Sequence, residues 1–180
     1  MSMKFTILGC GSSLGLPRID GNFGNCDPKN EKNYRMRCSA LLSVSKFNIL
    51  IDTSPDIKRQ MLKNKVKNVE KVFYTHYHGD QTHGINELRG FYIKTRKKIS
   101  VYADKNTKEY LFNTFSFCFN DSASYPSTLM MNDLKNIHVF NLKKNKVKIR
   151  AIKVQHGKIN SIAYIINSKC AYAPDVNKIY

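Results

Sequence analysis

The sequence lacks any apolar run long enough to cross a bilayer, since runs such as Ile162 to Ile166 cover only a few positions. Its first residues, MSMKFTILGCGSS, contain no hydrophobic stretch of signal-peptide length and are expected to form a first β-strand. Long polar tracts, internal repeats and low-complexity linkers are also lacking. These absences predict one ordered domain over residues 1–180, located in the cytoplasm and without a membrane partner.

Paired cysteines and acidic side chains are scarce as well. The cysteines are five in number and scattered: Cys10, Cys26, Cys38, Cys118 and Cys170. None forms a C-x-x-C pair, so we expect free thiols in a reducing compartment. Only 13 Asp and Glu face 30 Lys and Arg, which gives a net charge of +17. That charge indicates RNA or another polyanion as a partner, unless it reflects only a lysine-rich composition.

Short apolar stretches separated by turn residues predict an α/β or α+β layered domain. The predicted strands are Met3–Leu8, Cys38–Val44, Phe47–Ile51, Val72–Tyr74, Ile99–Ala103, Ile137–Leu142, Val147–Val154, Ser161–Asn167 and Lys169–Ala173. Helices are predicted at 80–93 and 106–119, and a further helix is expected to start at Pro55. Ser54 or Thr53 would cap that helix, and Ile57, Met61 and Leu62 would form its apolar face. Residues 16–37 and 120–136 are expected to be irregular.

The most informative stretch is Val72 to Gly90, VFYTHYHGDQTHGINELRG. A short run of β-formers breaks there into a loop that carries His76, His78, Asp80 and His83. Side chains two positions apart in an extended segment point the same way, so His76 and His78 can approach one ion together. Imidazole and carboxylate are ligands of zinc and similar divalent metals. The loop therefore predicts a metal site, the alternative being three solvated histidines on an ordinary surface loop.

Two further polar residues follow predicted strands. His156 lies in QHGK and Asp175 in YAPDVNK. Each alone is typical of a loop residue or a helix N-cap. His138, inside a predicted strand, is interpreted as structural.

Several segments together carry a family resemblance. They are residues 9–13 (GCGSS), 51–56 (IDTSPD), 75–80 (THYHGD), 155–157 (QHG) and 173–175 (APD). Their order resembles that of the metallo-β-lactamase fold hydrolases. The segments GCGSSLGLPR, GNCDPKN and HGINELRG are most similar to the phosphodiesterase branch, which includes phosphoribosyl cyclic phosphate diesterases and tRNA 3′-processing nucleases. The resemblance implies a metallo-β-lactamase-like αββα sandwich.

The resemblance also implies a metal site for one or two ions, Zn²⁺ in the first place and Mn²⁺ as the alternative. The first ion would be held by His76, His78 and His156. Asp80 would bind the second ion and is the expected catalytic residue, Asp175 would bridge both ions, and Asp52 would orient the ligand loop. Such a pair of ions activates water for attack on a phosphodiester.

Two departures from the family pattern affect the second ion. Gln81 stands where the family has a histidine, and an amide oxygen is a weaker zinc donor than imidazole. His83 lies nearby but also occurs in the related branch, so we do not expect it to replace that ligand. Family members continue past the bridging aspartate, whereas Tyr180 ends this sequence. The expected fold is therefore incomplete at its C-terminus, with an unpaired sheet edge.

The sequence thus predicts a metal-dependent hydrolase of small-molecule or nucleotide phosphodiesters. One alternative is a truncated or split-gene remnant with impaired activity. Another is a non-catalytic basic RNA-binding module, whose RNA binding would survive loss of His76 and His78. The oligomeric state is open, with a homodimer as one alternative.

Overall fold

The structure, a computed structural model, describes residues 3–122, 125–142 and 145–180. Its strands are β1 (Met3–Gly9), β2 (Ser39–Val44), β3 (Phe47–Ile51), β4 (Lys71–Phe73), β5 (Ile99–Ala103), β6 (Leu129–Asp133), β7 (Ile137–Leu142), β8 (Asn145–His156), β9 (Ile159–Ile166), β10 (Cys170–Tyr172) and β11 (Lys178–Ile179). Its α-helices are α1 (Ile57–Lys63), α2 (Gly79–Thr82), α3 (Arg89–Thr95), α4 (Lys105–Thr114) and α5 (Ser116–Phe119), and 3₁₀ turns occur at Glu31–Asn33 and Ile85–Leu88.

The first sheet has six strands in the order β1-β2-β3-β4-β5-β6. Strands β1 to β3 are antiparallel, whereas β3, β4, β5 and β6 run parallel to one another. Because parallel strands end at the same edge, the segments that follow β3 and β4 begin side by side there. This edge carries the polar residues Asp52 and His76.

The second sheet is antiparallel, in the order β10-β9-β8-β11, with β7 also paired to β8. Its longest strand, β8, is 12 residues long and ends at His156. The hairpin from β8 to β9 pairs His156 with Ile159 and Val154 with Ser161. His156, the last residue of β8, lies at the same end of the molecule as the loop that follows β4.

Alternate residues of the first sheet face two separate cores, as the two-residue period of a strand requires. Leu41, Leu50 and Val72 pack against α1, α4, α5 and the Ile85–Leu88 turn. Leu42, Ile49 and Phe73 face the second sheet instead. Helical residues of the described ranges enter only the first of these cores. The described residues thus form three layers, in the order helices, first sheet, second sheet.

His138 lies in the core between the two sheets and is 8% exposed. Its Nε2 accepts a hydrogen bond from the Lys135 N–H at 3.0 Å, and its ring meets Phe73 and Tyr102 edge to face. Burial is the main reason that its pKa falls below the ordinary value. His138 is a structural residue, as predicted.

Some predicted elements differ from the structure. Part of the segment 120–136, expected to be irregular, forms strand β6, because parallel pairing with β5 supplies the hydrogen bonds that the sequence LMMND does not signal. The sequence KKNKVK at residues 143–148 is a local run of positive charge, and its first two residues, Lys143 and Lys144, lie outside the described residues.

The predicted helices are shorter and more broken than expected. The helix expected at 80–93 is divided into α2, a 3₁₀ turn and α3, and the one expected at 106–119 breaks at Phe115. Helix α1 starts at Ile57 with Asp56 as its N-cap residue, two positions beyond Pro55. Leu62 is 71% exposed, so the apolar face of α1 consists of Ile57 and Met61 without it.

The cysteines Cys10, Cys26, Cys38, Cys118 and Cys170 are all free, as the sequence predicted. No helix within the described ranges combines the length and the apolar character that a membrane crossing needs.

Arg37 and Asp56 join the loop 16–37 to the start of α1. Arg37 Nε donates to Asp56 Oδ2 at 2.8 Å and Nη2 donates to Oδ1 at 2.8 Å, while the Arg37 backbone N–H donates to Oδ2 at 2.9 Å. The side-chain hydrogen bond from Arg37 is the main reason that the pKa of Asp56 lies below its ordinary value of 3.8. The ionised carboxylate therefore stabilises the folded state.

We predict that Asp56→Asn lowers the free energy of unfolding at neutral pH by about 1–2 kcal/mol, because partly buried charge-assisted bonds are lost. A lowered folded-state pKa gives stability that is complete above the ordinary carboxyl range and lost as the pH falls through the folded value. The difference between the variant and the native chain should therefore shrink below about pH 5 in urea titrations. Asp133→Asn, which removes an exposed ion pair with Lys108, is the control and should change little. A difference that is independent of pH would contradict the prediction.

Candidate metal centre

Three histidines from two sheets converge at one point. His76 and His78 follow β4 in the first sheet, and His156 ends β8 in the second. One nitrogen from each imidazole lies within 4.8 Å of the others. The ring centroids are 4.6 Å apart for His76 and His78, and 5.1 and 5.2 Å from His156 to His76 and His78. The structure thus brings together the three residues predicted as ligands of the first ion.

Hydrogen bonds between the sheets hold the two parts of this cluster together. The Ile162 N–H of β9 donates to the Thr75 carbonyl at 2.9 Å, and the Tyr164 hydroxyl donates to the Tyr74 carbonyl. Thr75 and Tyr74 directly precede His76. The residues before the ligand loop are therefore tied to the strand that is paired with β8.

Asp52 fixes the start of the ligand loop through hydrogen bonds to Thr75. It is 0% exposed and follows β3, and its φ of 60° places it in the left-handed region that few non-glycine residues adopt. Its Oδ1 accepts the Thr75 N–H at 2.7 Å, and its Oδ2 accepts the Thr75 hydroxyl at 2.9 Å. Burial raises the pKa of Asp52, and the two bonds from Thr75 oppose that rise.

The Thr75 hydroxyl in turn orients His76. The Thr75 hydroxyl donates its proton to Asp52, and its oxygen lies 3.1 Å from His76 Nδ1. Because this proton is already used, the Thr75 oxygen can only accept a hydrogen bond from the Nδ1–H of His76. The Ser161 hydroxyl lies 3.4 Å from the same nitrogen. In this tautomer His76 Nε2 carries a free lone pair directed away from the network.

His76 Nε2 is buried and has no hydrogen-bond partner among the described residues. Burial, followed by the neighbouring His78 and His156, lowers the pKa of His76 to about 3. The imidazole is therefore neutral at physiological pH, which is the form that binds metals. A buried nitrogen without a partner, directed at two other imidazoles, fits a divalent metal ion.

Asp175 and Asp80 lie beside the histidines. The turn that carries Asp175 is held against β8, since the Asn177 N–H donates to the Gln155 carbonyl at 2.7 Å. Gln81 Nε2 lies 2.8 Å from Asp80 Oδ2 and 3.1 Å from Asp175 Oδ2. The pKa of Asp175 is raised, mainly by burial, while His156 lowers it and Asp80 raises it further.

His83, the third histidine of the predicted loop region, is not part of the cluster. It is exposed, its Nε2 lies 3.0 Å from the Tyr110 hydroxyl, and its ring packs edge to face on Phe115. It therefore does not stand in for a histidine at position 81.

The sequence did not single out Arg37, Cys38 or Ser161, which also lie near the centre. The pKa of Arg37 is raised mainly by its hydrogen bond to Asp56, and the Asp80 charge contributes to the rise. Burial and the charges of Asp175, Asp52 and Asp80 raise the pKa of Cys38 to about 12. No local motif marks these residues, because the fold brings them in from distant strands and loops.

A basic cleft of about 750 Å³ lies along the loop 16–37, next to Arg37. Its lining includes the cationic residues Lys29, Arg35, Arg37, Arg59 and Lys63. Glu31 and Asp56 are the acidic residues of the lining, and Asp56 is already paired with Arg37. The exposed ring of Tyr34 also lines this cleft.

Backbone contact at Gly84 holds the ligand loop against the end of β3. The Thr53 N–H donates to the Gln81 carbonyl at 2.7 Å, and the Gly84 N–H donates to the Thr53 carbonyl at 2.9 Å. A Cβ atom at position 84 would lie 2.1 Å from the Ser54 carbonyl oxygen. Only glycine permits this approach.

Known proteins resemble this chain in sequence and in fold. The family described as Beta-lactamase superfamily domain matches residues 47–180. Among curated proteins, the chain is 27% identical over 180 residues to an octanoyltransferase of Porphyromonas gingivalis, covering 98% of this chain and 35% of the relative. It is also 27% identical over 176 residues to ribonuclease Z of Prochlorococcus marinus, covering 93% of this chain and 50% of the relative.

Two solved structures resemble the fold over nearly the whole chain. A diphosphatase from the PhnP family matches with a TM-score of 0.78 and 25% identity, covering 96% of this chain and 65% of that one. The short form of human tRNase Z matches with a TM-score of 0.62 and 17% identity, covering 94% and 67%. The chain spans 35% of the length of the octanoyltransferase and 50% of the length of the ribonuclease, which is half or less of these curated relatives.

We predict that Gly84→Ala lowers the free energy of unfolding by roughly 1–3 kcal/mol, because the new methyl group overlaps the Ser54 carbonyl and Ile57. Gly90→Ala is the matched control: it lies in α3 with nothing within 4 Å of the new Cβ. That change should raise stability by up to about 1 kcal/mol. Chemical denaturation of both variants tests the pair, and equal effects would contradict the close approach at Gly84.

Proposed function

Because the chain belongs to the family described as Beta-lactamase superfamily domain, we propose that it is a metal-dependent hydrolase of phosphodiester bonds. Family and fold agree with the resemblance and the layered α/β fold predicted from the sequence, including its phosphodiesterase branch. The observation that carries the proposed activity is the convergence of His76, His78 and His156 around the unpartnered His76 Nε2.

Three imidazole ligands favour Zn²⁺ over Mg²⁺ or Ca²⁺, which prefer oxygen ligands. His76, His78 and His156 would hold the ion through one nitrogen each. When bound, such an ion supplies a water of lowered pKa and polarises the phosphoryl group of the substrate. Mn²⁺ is the alternative that the neighbouring carboxylates permit.

The other residues of the centre then have separate tasks. Asp52, through Thr75, holds the His76 ring in the tautomer that leaves Nε2 free. Asp80 lies beside the histidines with one carboxylate oxygen bonded to Gln81, so its other oxygen can accept a proton during attack on the substrate. We therefore keep Asp80 as the proposed catalytic residue.

The names of two similar proteins support a phosphate-bearing substrate, since one is a diphosphatase and another a ribonuclease. The octanoyltransferase has the same sequence identity to this chain as the ribonuclease, 27%, but its name describes a different activity. Overall similarity therefore does not select the substrate. The proposed substrate class rests on the resemblance to the phosphodiesterase branch and on two relatives, the diphosphatase and the ribonuclease.

We predict about one zinc ion per purified chain, and essentially none in a His76→Ala/His78→Ala double variant. His83→Ala is the control, because His83 lies outside the cluster and should leave the metal content unchanged. Elemental analysis gives the metal content, and hydrolysis of bis(p-nitrophenyl) phosphate gives the activity. Activity should follow the metal through all three proteins.

Two results would go against this proposal. If the native chain retains no zinc, manganese or iron, the site does not hold a metal. If metal is bound but no phosphodiester is cleaved, the chain is an impaired copy of a hydrolase.

The basic cleft supports a second candidate function, binding of single-stranded nucleic acid. The side chains of Arg59 and Lys63 are exposed on the cleft wall and make no hydrogen bond or ion pair with the described residues. The exposed Tyr34 ring is braced by Phe23, with centroids 5.0 Å apart at 73°. Cations beside an exposed aromatic ring are the elements that bind a single strand, because phosphates meet the charges and bases stack on the ring.

For this second candidate we predict salt-dependent binding of a fluorescent 2′-O-methyl oligoribonucleotide, a probe that resists hydrolysis. In Arg59→Ala/Lys63→Ala the slope of log affinity against log salt should fall by up to about 1.4, the value for two lost phosphate contacts. The control is Lys65→Ala/Lys67→Ala, which removes the same charge from a smaller basic cleft near the β2–β3 turn, away from the metal ligands. Fluorescence anisotropy measures both.

Equal slopes in the two double variants would mean that binding is non-specific. Binding that survives His76→Ala/His78→Ala while no diester is hydrolysed would favour a non-catalytic RNA-binding module over a hydrolase.

A further inference from the structure

Gln81 occupies the space between two carboxylates of the candidate metal centre. It is 0% exposed, and its backbone is fixed on both sides, by the Gln81 N–H to the His78 carbonyl at 3.0 Å and by the Thr53 N–H to the Gln81 carbonyl at 2.7 Å. From this position the side-chain nitrogen reaches Asp80 Oδ2 at 2.8 Å and Asp175 Oδ2 at 3.1 Å. The two aspartates are 95 positions apart in sequence, and this amide joins them.

Two ionised carboxylates that converge in a partly buried place repel each other unless a positive charge or hydrogen-bond donors lie between them. A side-chain amide nitrogen carries two protons and can give one to each carboxylate. Hydrogen bonds to ionised acceptors are stronger than those between neutral groups. The Gln81 amide therefore satisfies both carboxylates in the way that a cation between them would.

The same amide cannot serve as a metal ligand through its nitrogen, whose lone pair is delocalised into the carbonyl. Its oxygen, Oε1, is buried without a hydrogen-bond partner on the side away from the carboxylates. Turning the amide over would place Oε1 against Asp80 and Asp175, three oxygens together, an arrangement that requires a cation among them. The two orientations of this one amide therefore correspond to different numbers of bound ions.

We propose that Gln81 is a positioning residue that clamps Asp80 and Asp175 in place of a second metal ion, so that the centre binds a single ion on its three histidines. This inference rests on the proposed metal site. It concerns how many ions the site takes and what holds the carboxylates. The clamp fixes the positions of both carboxylates beside the histidine cluster.

Metal binding tests this assignment without relying on activity. Metal-free protein is titrated with zinc by calorimetry, and the bound ions are counted by elemental analysis after desalting. We expect about one ion for the native chain and about two for Gln81→His, in which an imidazole replaces the amide between the same carboxylates. Gln81→Glu removes both donors and adds a third carboxylate, so it too should gain a second cation. His83→Ala, which alters a histidine outside the cluster, should keep the native count.

A spectroscopic measurement tests the clamp itself. The chain contains three glutamines, Gln60, Gln81 and Gln155, so ¹⁵N-glutamine labelling gives three side-chain amide signals, and Gln81→Glu identifies the one of interest. Both Gln81 amide protons should exchange slowly with solvent, and they should stay so after one equivalent of zinc is added. This readout remains valid if Gln81→His does not fold.

The possible results separate clearly. Two ions on the native chain, or one ion on both the native chain and Gln81→His, would overturn the inference, as would rapid exchange of the Gln81 amide protons in the zinc-loaded chain. A native chain that binds no ion at all would instead overturn the proposed metal site. The failure of the clamp is thereby distinguished from the failure of the function.

Discussion

The position of the whole centre depends on the buried carboxylate of Asp52. It follows β3 and bonds both polar groups of Thr75, which follows the neighbouring parallel strand β4. These two bonds determine where the chain leaves β4, and thus where His76 begins the ligand loop. Two hydrogen bonds stabilise the left-handed backbone at Asp52. The Ser39 hydroxyl donates to the Asp52 carbonyl, and the Asp52 N–H donates to the Phe73 carbonyl. Loss of this carboxylate would leave two buried donors of Thr75, its N–H and its hydroxyl, without their acceptor.

Much of this arrangement could be predicted from the sequence. Strands such as Phe47–Ile51, Ile99–Ala103 and Ile137–Leu142 were placed at their observed bounds, because their apolar residues and turn signals are local. The His76 and His78 pair followed from two-residue periodicity. Convergence with His156 and Asp175 did not follow from spacing and was implied by the family resemblance alone, since it depends on the packing of two sheets.

The misplaced elements have physical causes that lie outside local sequence. Strand β6 exists because β5 offers it a parallel edge, and the helix expected at 80–93 breaks because Gly84 must approach Ser54. Arg37 and Cys38, at the end of the loop before β2, lie near the carboxylates of the centre, and no sequence motif marks them. The hydrogen bond to Asp56 is the main cause of the raised pKa of Arg37, and burial is the main cause for Cys38. The Asp80 charge adds to both shifts, so the carboxylates of the centre form a negative region within a chain of net charge +17. The candidate metal centre thus lies beside a cleft that is lined by cationic side chains.

The three histidines come from different sheets, and this affects how the molecule would open. His76 and His78 follow a strand of the first sheet, and His156 ends a strand of the second. Among the described residues, hydrogen bonds such as that from Ile162 to Thr75 join the sheets nearby. Any ion bound by all three acts as a cross-link between the layers, and by mass action it stabilises only states in which the layers stay together. Amide hydrogens of β8 and β9 would then exchange more slowly in the loaded chain, because separation of the sheets requires release of the ion.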